Sequence, residues 1–366
     1  MNASTIASST IGFVHLRAKF SMRYSAALLL AVWLCLASCS LTRSVAPPLR
    51  TIAFGSCDHQ DAYPKMWDAI LANRPDLWIW GGDNIYGDSH DMDTLRTKYA
   101  RQKAVPGYQT LRQRAHVTGT WDDHDYGLND GGREYAMRAQ SRDVLFDFLD
   151  IPARDPARTR EGAYHSRTYG PPGRKVTILN LDTRYFRDPL WQEPYADPRY
   201  PGVSRHNVPA PGRDILGESQ WAWLEHALMD STASLVIINS SIQVLSSEHP
   251  FEKWANFPDA QQRLYRLIAR SEARQVLILS GDRHIGECSA ISLEGRTTKL
   301  YDMTSSGLTH TWSTPRAEPN RYRLGEQVVK KNFGLIRIDW SGRVPRLRLE
   351  LRGEGNQLLQ QWEPDL

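Results

Sequence analysis

The 366-residue sequence predicts an α/β fold, on two observations. Short apolar runs of strand length alternate with helical segments, the grammar of strand–helix–strand units and a parallel sheet. Four of the apolar runs end in groups rich in acids, Cys57-Asp58-His59, Asp83-Asn84-Ile85-Tyr86, Asp122-Asp123-His124-Asp125 and Asp282-Arg283-His284. In such sheets ligands bind beyond the carboxyl ends of the strands, so these four loops are expected to converge.

The elements follow in order. Arg23 precedes an apolar run, Ala26 to Leu36, of signal-peptide length and too short to span a bilayer. Leu36-Ala37-Ser38-Cys39 resembles the lipobox of bacterial lipoproteins. Residues 1–38 are therefore expected to be a lipoprotein-type signal peptide, with Met22 an alternative start; a signal cut elsewhere or an uncleaved anchor is the rival reading. The resemblance implies export, a lipidated Cys39 that associates the protein with a membrane, and a periplasmic or outer-membrane location. Residues 39–49, with Pro47-Pro48, read as a tether, and residues 50–366 as one domain.

Within that domain, Thr51 to Phe54 reads as a strand, Pro64 to Arg74 as a helix, Leu77 to Trp80 as a strand and Asp91 to Lys103 as a helix. Val117 to Trp121 is a third strand, followed by a long amphipathic helix from Arg133 to Leu149. Gly162 to Tyr169 and Lys175 to Leu181 predict an antiparallel pair around Pro171-Pro172-Gly173, the second ending in Asp182-Thr183-Arg184. Residues 186–216 have no clear periodicity and form a long loop insert, expected to be a lid over the site. Helices are predicted at Glu218 to Leu228 and Asp259 to Arg270, strands at Leu235 to Asn239 and Gln275 to Leu279. Cys288 to Leu293, Lys299 to Met303, Phe333 to Trp340 and Pro345 to Arg352 read as strands of a closing β region.

Loss of residues 1–38 removes Arg17, Lys19 and Arg23 but no acid, so the formal net charge falls from +4 to +1. The basic footprint of a nucleic-acid binder is missing. A monomer is expected. Beyond the signal region two cysteines remain, Cys57 and Cys288. In an exported protein they could pair, while Cys57 at an acid-rich strand exit also suits a thiolate ligand; the sequence leaves both open.

Gly81-Gly82 allows the sharp turn that brings Asp83 and Tyr86 onto one loop, where oxygen ligands suit a hard metal ion and a phenolate suits a ferric one. Crowded carboxylates without a cation raise one another's pKa, whereas the same cluster around two or more ions is self-consistent. Each loop alone is an ordinary turn with a capping acid. Together they point to a site for two or more metal ions, an arrangement commonly used to cleave phosphate esters.

The order Gly-Asp-x-x-Tyr at Asp83 to Tyr86, then Asp123-His124-Asp125, then Gly281 to His284, resembles the calcineurin-like metallophosphoesterases. Cys57 in a Ser-Cys context, Trp-Asp-Asp-His, Asp182-Thr183-Arg184 and Gly-Asp-Arg-His resemble their alkaline phosphatase D, or PhoD-like, branch, over roughly residues 50–310. The resemblance implies a metallo-dependent phosphatase fold, an αββα sandwich of two packed mixed sheets flanked by helices. It implies Fe(III) and Ca(II), or another divalent ion at the second site, held by Cys57, Asp83, Tyr86, Asp123, Asp282 and His284, with Asp83 as the bridge. Asn129 is an extra candidate ligand, and Gln243 stands nearest the position where relatives carry a mid-chain histidine. His124 and Asp125 are the implied catalytic residues; Asn84, Arg184 and Arg283 are the implied substrate-binding residues, with a second-site metal the alternative for Asn84, a salt bridge for Arg184 and an outward orientation for Arg283.

His59 is a weaker candidate ligand, and His249, His310 and Trp312 are candidates for the pocket rim. Trp221 and Trp223 are read as packing residues. The expected function is hydrolysis of phosphate mono- or diesters, the substrates including phosphomonoesters, teichoic-acid-like polymers or phospholipids. The alternatives are a phospholipase D-like hydrolase of the same fold, or an inactive metal-binding surface lipoprotein.

Overall fold

Side-chain alternation along the strands decides how the chain layers. The computed structural model describes residues 46–312 and 318–366; the expected signal segment, Cys39 and the tether as far as residue 45 lie outside them. The strands in chain order are β1 (Thr51–Gly55), β2 (Leu77–Gly81), β3 (His116–Thr120), β4 (His165–Tyr169), β5 (Val176–Asn180), β6 (Trp191–Pro194), β7 (Arg205–Val208), β8 (Leu235–Asn239), β9 (Val276–Ser280), β10 (Gly286–Ser292), β11 (Lys299–Ser305), β12 (Phe333–Asp339), β13 (Arg346–Arg352) and β14 (Leu358–Trp362). Two mixed six-stranded sheets result, ordered β14-β13-β12-β1-β2-β3 and β10-β11-β9-β8-β5-β4, with β6 and β7 as a separate hairpin. In the first sheet β1, β2 and β3 run parallel; in the second β5, β8, β9 and β11 do.

Ile52, Phe54, Leu77 and Ile79 face Val176, Ile178, Leu235, Ile237, Leu277 and Leu279 between the sheets. The intervening residues face outward and are covered by helices, as strands apolar on both faces require. On the first sheet Trp78 and Trp80 meet α1 (Trp67–Leu71), α2 (Met92–Ala104), α3 (Pro106–Arg114), α4 (Asp123–Tyr126) and α5 (Arg138–Phe148). On the second, Val236, Ile238 and Ile278 meet α6 (Gly217–Met229) and α7 (Pro258–Arg270). The result is the αββα sandwich that the resemblance implied.

A polar seam interrupts the apolar layer between the sheets. Asn239 Nδ2 donates to Trp80 O at 2.9 Å and to Asn180 Oδ1 at 2.9 Å, and Asn180 Nδ2 donates to Thr118 Oγ1 at 2.8 Å. His165 Nε2 lies 3.1 Å from the same Asn180 Nδ2, while its Nδ1 meets Ala163 O at 2.9 Å. These side chains are buried, and their mutual satisfaction is what makes that tolerable.

Several predicted elements change. The helix expected from Pro64 begins at Trp67, because Lys65 is drawn to Asp58 at 2.6 Å and to His59 O at 2.6 Å. The helix expected from Arg133 begins at Arg138; Glu134 Oε1 accepts from Gly132 N and Tyr135 packs on Tyr126, which holds residues 131–137 in turns. The insert at 186–216 contains the β6–β7 hairpin and buries Tyr200, Ile215 and Leu216. The closing β region divides: β10 and β11 complete the second sheet, while β12 and β13, with an unpredicted β14, complete the first. Trp221 is buried in the helix–sheet layer and Trp223 packs against it, as their packing role requires. Cys57 and Cys288 are both free and buried, so the disulfide alternative is not realised. No helix among the described residues is long and apolar enough to cross a membrane.

Candidate metal centre

The exits of β1, β2, β3 and β9 come together, two sheets contributing to one spot. Turning sharply off a strand demands unusual backbone. Cys57, Asp83, Asp282 and His284 have φ of 59°, 49°, 67° and 54°, in the left-handed region that non-glycine residues seldom adopt. Such strain persists where surrounding structure enforces it, and it gathers at functional sites. Glycines make the close approaches possible: a Cβ on Gly82, itself at φ +97°, would sit 2.6 Å from Asp122 Cβ, and one on Gly281 would sit 2.4 Å from Ser56 Oγ.

Three groups of donor atoms form, each with its atoms within 4.8 Å of one another: Cys57, Asp83 and His284; Asp83, Asp123 and His124; and Asp122, Asp123 and Asp282. Asp83 and Asp123 are each shared between two groups. Cys57 Sγ lies 3.4 Å from Asp83 Oδ2 and 3.2 Å from Ser306 Oγ. Burial, then the neighbouring Asp83, pushes the Cys57 thiol well above its ordinary range. Burial and Asp123 do the same to the Asp83 carboxyl, and burial lifts Asp282 to about 7 against the pull of Arg283. Asp123 is also pushed up by burial, yet Arg184 and His124 outweigh this and hold it at about 2. His284 is neutral, driven to about 3 by burial and by His310 and Arg283, as a ligand imidazole must be.

The donors fit metal ions. Asp122 Oδ2, Asp123 Oδ1 and Asn84 Oδ1 are buried oxygens without a hydrogen-bond partner, an expensive state that a cation relieves. The thiol of Cys57, the imidazole of His284 and the carboxylates are all metal-ligating groups. Tyr86 Oη lies 3.2 Å from His284 Nε2 and 2.9 Å from His310 Nε2.

Other predicted residues land differently. His124 lines the cavity and belongs to the second donor group, but its Nδ1 lies 2.8 Å from Asp88 Oδ1. Burial would lower its pKa, but Asp88, Asp83 and Asp123 prevail and raise it to about 10. Asp125 does not reach the cavity: Oδ2 accepts from Asn84 N, Asn84 Nδ2 and Tyr99 Oη, and Oδ1 from Asp122 N at 2.6 Å, so it positions two loops and touches no reacting atom. Asn84 has both amide hydrogens engaged, by Thr120 O and Asp125 Oδ2, which leaves only its oxygen to offer and corrects the substrate-binding assignment. Arg184 is fully buried between Asp122, at 2.6 Å from Nε, and Glu252, at 2.5 Å from Nη1. It is the salt bridge, not a hand on substrate.

Arg283 does line the cavity, but Glu318 takes its guanidinium at 2.5 Å and Phe251 lies 3.9 Å beneath it. Asn129 lines the same cavity. Gln243 instead donates to Glu287 and Thr304 within the second sheet. His59 stacks on Tyr86, with centroids 5.2 Å apart, and lies in none of the donor groups. Trp312 lines the cavity, His310 reaches Tyr86, and His249 is buried.

Sequence reasoning missed Asp122 as a donor, Glu252 as the acid that neutralises Arg184, and Asp88 as the partner of His124. Asp122 heads a group already singled out and Asp88 lies two residues beyond another; Glu252 carried no local signal. The cavity, about 310 Å³, is closed on one side by Gln192, Val203, Arg205 and Asn207 of the insert.

Comparison with known proteins agrees with this geometry. Alkaline phosphatase D of Bacillus subtilis (strain 168) is 22% identical over 327 residues, a match that covers 78% of this chain and 54% of the relative, so the chain spans about half the length of that curated protein. A solved PhoD structure superposes with a TM-score of 0.65 at 18% identity, covering 87% of this chain and 71% of that one. GAP50, described as the anchor in the inner membrane complex of Plasmodium, shares the fold at a TM-score of 0.53 and 10% identity, covering 87% and 89%. A family model described as PhoD-like phosphatase matches residues 52–312, from the first strand through the last cavity aromatic. With the αββα sandwich and the clustered strand-exit donors, that match means the chain belongs to the PhoD-like phosphatase family.

Proposed function

We propose that this chain is an exported metal-dependent phosphoric ester hydrolase, anchored through a lipidated Cys39, with Fe(III) between Cys57, Asp83, Tyr86 and His284 and Ca(II) or another divalent ion among Asp83, Asp123 and Asp282. The observation that carries the reading is the sharing of Asp83 and Asp123 between adjacent donor groups, which suits more than one ion. When bound, the ions would supply Lewis acidity, drawing charge from phosphoryl oxygens and acidifying water.

The chain's own residues do the rest. Asp88 fixes His124 through Nδ1 and keeps the ring protonated, so that Nε2 offers a proton to the leaving oxygen. Arg184 offsets the charge of Asp122 and Glu252 behind the donors and stays out of substrate contact. Asp125 ties the loop after β2 to that after β3.

The test is direct: measure the metal content of the purified chain and assay p-nitrophenyl phosphate beside its bis ester. Turnover together with iron, and a visible band from an Fe(III)–phenolate pair, supports the reading. An iron-bearing protein inactive on both esters favours a binding protein, and an active, iron-free, colourless one removes the ferric assignment.

A further inference from the structure

We propose that Arg205, on the hairpin of the insert, is the cation that holds the substrate's non-bridging phosphate oxygens, and that it favours dianionic phosphomonoesters over monoanionic diesters; this rests on the hydrolase reading above. Both arginines that the sequence nominates for that task are committed elsewhere. Arg184 is fully buried between two carboxylates, and Arg283 is clamped by Glu318. Five carboxylates, Asp83, Asp123, Asp130, Glu252 and Asp282, line the same cavity. Bound ions would offset the donors among them, leaving the entering phosphate in need of a cation on its far side.

Arg205 meets that need. It lines the cavity, is exposed, and makes one hydrogen bond, to Gln192 O at 2.8 Å. Among the described residues no carboxylate lies within 4.0 Å of it, in contrast to Arg133, Arg184, Arg187 and Arg283 nearby, each of which is paired. The guanidinium is therefore available for a bidentate contact, the geometry in which arginine binds phosphate best.

The strand that carries it is well fastened. Arg205 and Asn207 are two residues apart in β7 and share a face, both lining the cavity. Asn207 N donates to Pro250 O at 2.8 Å, its carbonyl accepts from Asn256 Nδ2 at 2.8 Å, and its side chain accepts from Gln192 Nε2 at 3.0 Å. Tyr200 packs edge-on against Phe251 from the same insert. A free charge on a pinned strand loses little freedom when it binds.

The experiment compares wild type with Arg205→Ala and Arg205→Lys on p-nitrophenyl phosphate and its bis ester, above pH 7 where the monoester is a dianion. It also titrates inorganic phosphate by calorimetry, without turnover. Arg205→Ala should raise the monoester KM and the phosphate Kd together, by about tenfold or more, with the diester KM moved about threefold at most. Arg205→Lys should recover part of the loss, and metal content should not change. Arg199→Ala, on the same insert but paired with Asp197, should behave as wild type. Unchanged phosphate affinity in Arg205→Ala, or an equal loss on both esters, overturns the proposal. A wild-type protein that binds phosphate but hydrolyses neither ester sinks the hydrolase reading, and the phosphate titration then still decides the role of Arg205.

Discussion

His124 Nδ1 lies 2.8 Å from Asp88 Oδ1 and 3.0 Å from Oδ2, so one carboxylate of the loop after β2 orients a ring carried by α4. The imidazole is held with its second nitrogen available to the cavity. His124→Asn should lower kcat by about 10²–10⁴-fold while leaving metal content intact. Alkyl phosphates, with poor leaving groups, should suffer more than p-nitrophenyl phosphate. Asp88→Asn should give a smaller loss of the same pattern. Equal losses for good and poor leaving groups in steady-state assays would contradict proton donation by His124.

Asp83 stands in two donor groups at once. Asp83→Ala is expected to abolish turnover and to reduce bound metal at both sites, as read by elemental analysis. Tyr86→Phe and Cys57→Ser should each shift or remove the visible band. A variant of Asp83 that keeps full metal content and substantial activity would refute the bridging role.

Arg184 is surrounded by acids and shielded from water, so its removal strands Asp122 and Glu252 as buried charges. Arg184→Met should destabilise the fold by about 3–5 kcal/mol in denaturant titrations. A substrate-binding arginine would instead raise KM without that loss of stability.

His165 is buried in the inter-sheet seam, and burial lowers its pKa from 6.5 to about 4. The unfolded chain takes up a proton more readily than the folded one, so this residue's contribution is complete above pH 6.5 and is lost as pH falls through 4. The loss is on the order of 3 kcal/mol across that window. Chemical denaturation at pH 7, 6, 5 and 4 should show a shallower decline for His165→Gln than for wild type, although the variant is less stable at pH 7.

Local patterns made much of this molecule legible. The strands of the sandwich core show as apolar runs of five or so residues, and an acid placed directly after such a run marks a ligand-bearing exit. Cys57, Asp83, Asp123, Asp282 and His284 each lie within a few residues of such a run, and the structure brings them into the donor groups. Residues whose roles depend on distant partners were not legible. Arg184 looks the same in sequence whether it meets phosphate or Glu252, which is 68 positions away. Asp125 carries the motif position of a catalytic acid, and only its contacts with Asn84 and Tyr99 reveal a positioning role. The hairpin of the insert has too little periodicity to read, since β6 is wholly exposed and only Asn207 of β7 is buried.

Two of the three donor groups draw on both sheets: Cys57 and Asp83 reach across to His284, and Asp122 and Asp123 to Asp282. An ion held by either of these groups would have ligands from both sheets at once. By mass action, ions bound there would brace one sheet against the other. Chelation should loosen the packing of one sheet on the other as well as stop catalysis, and the polar seam would then have to hold the layers in register without that brace.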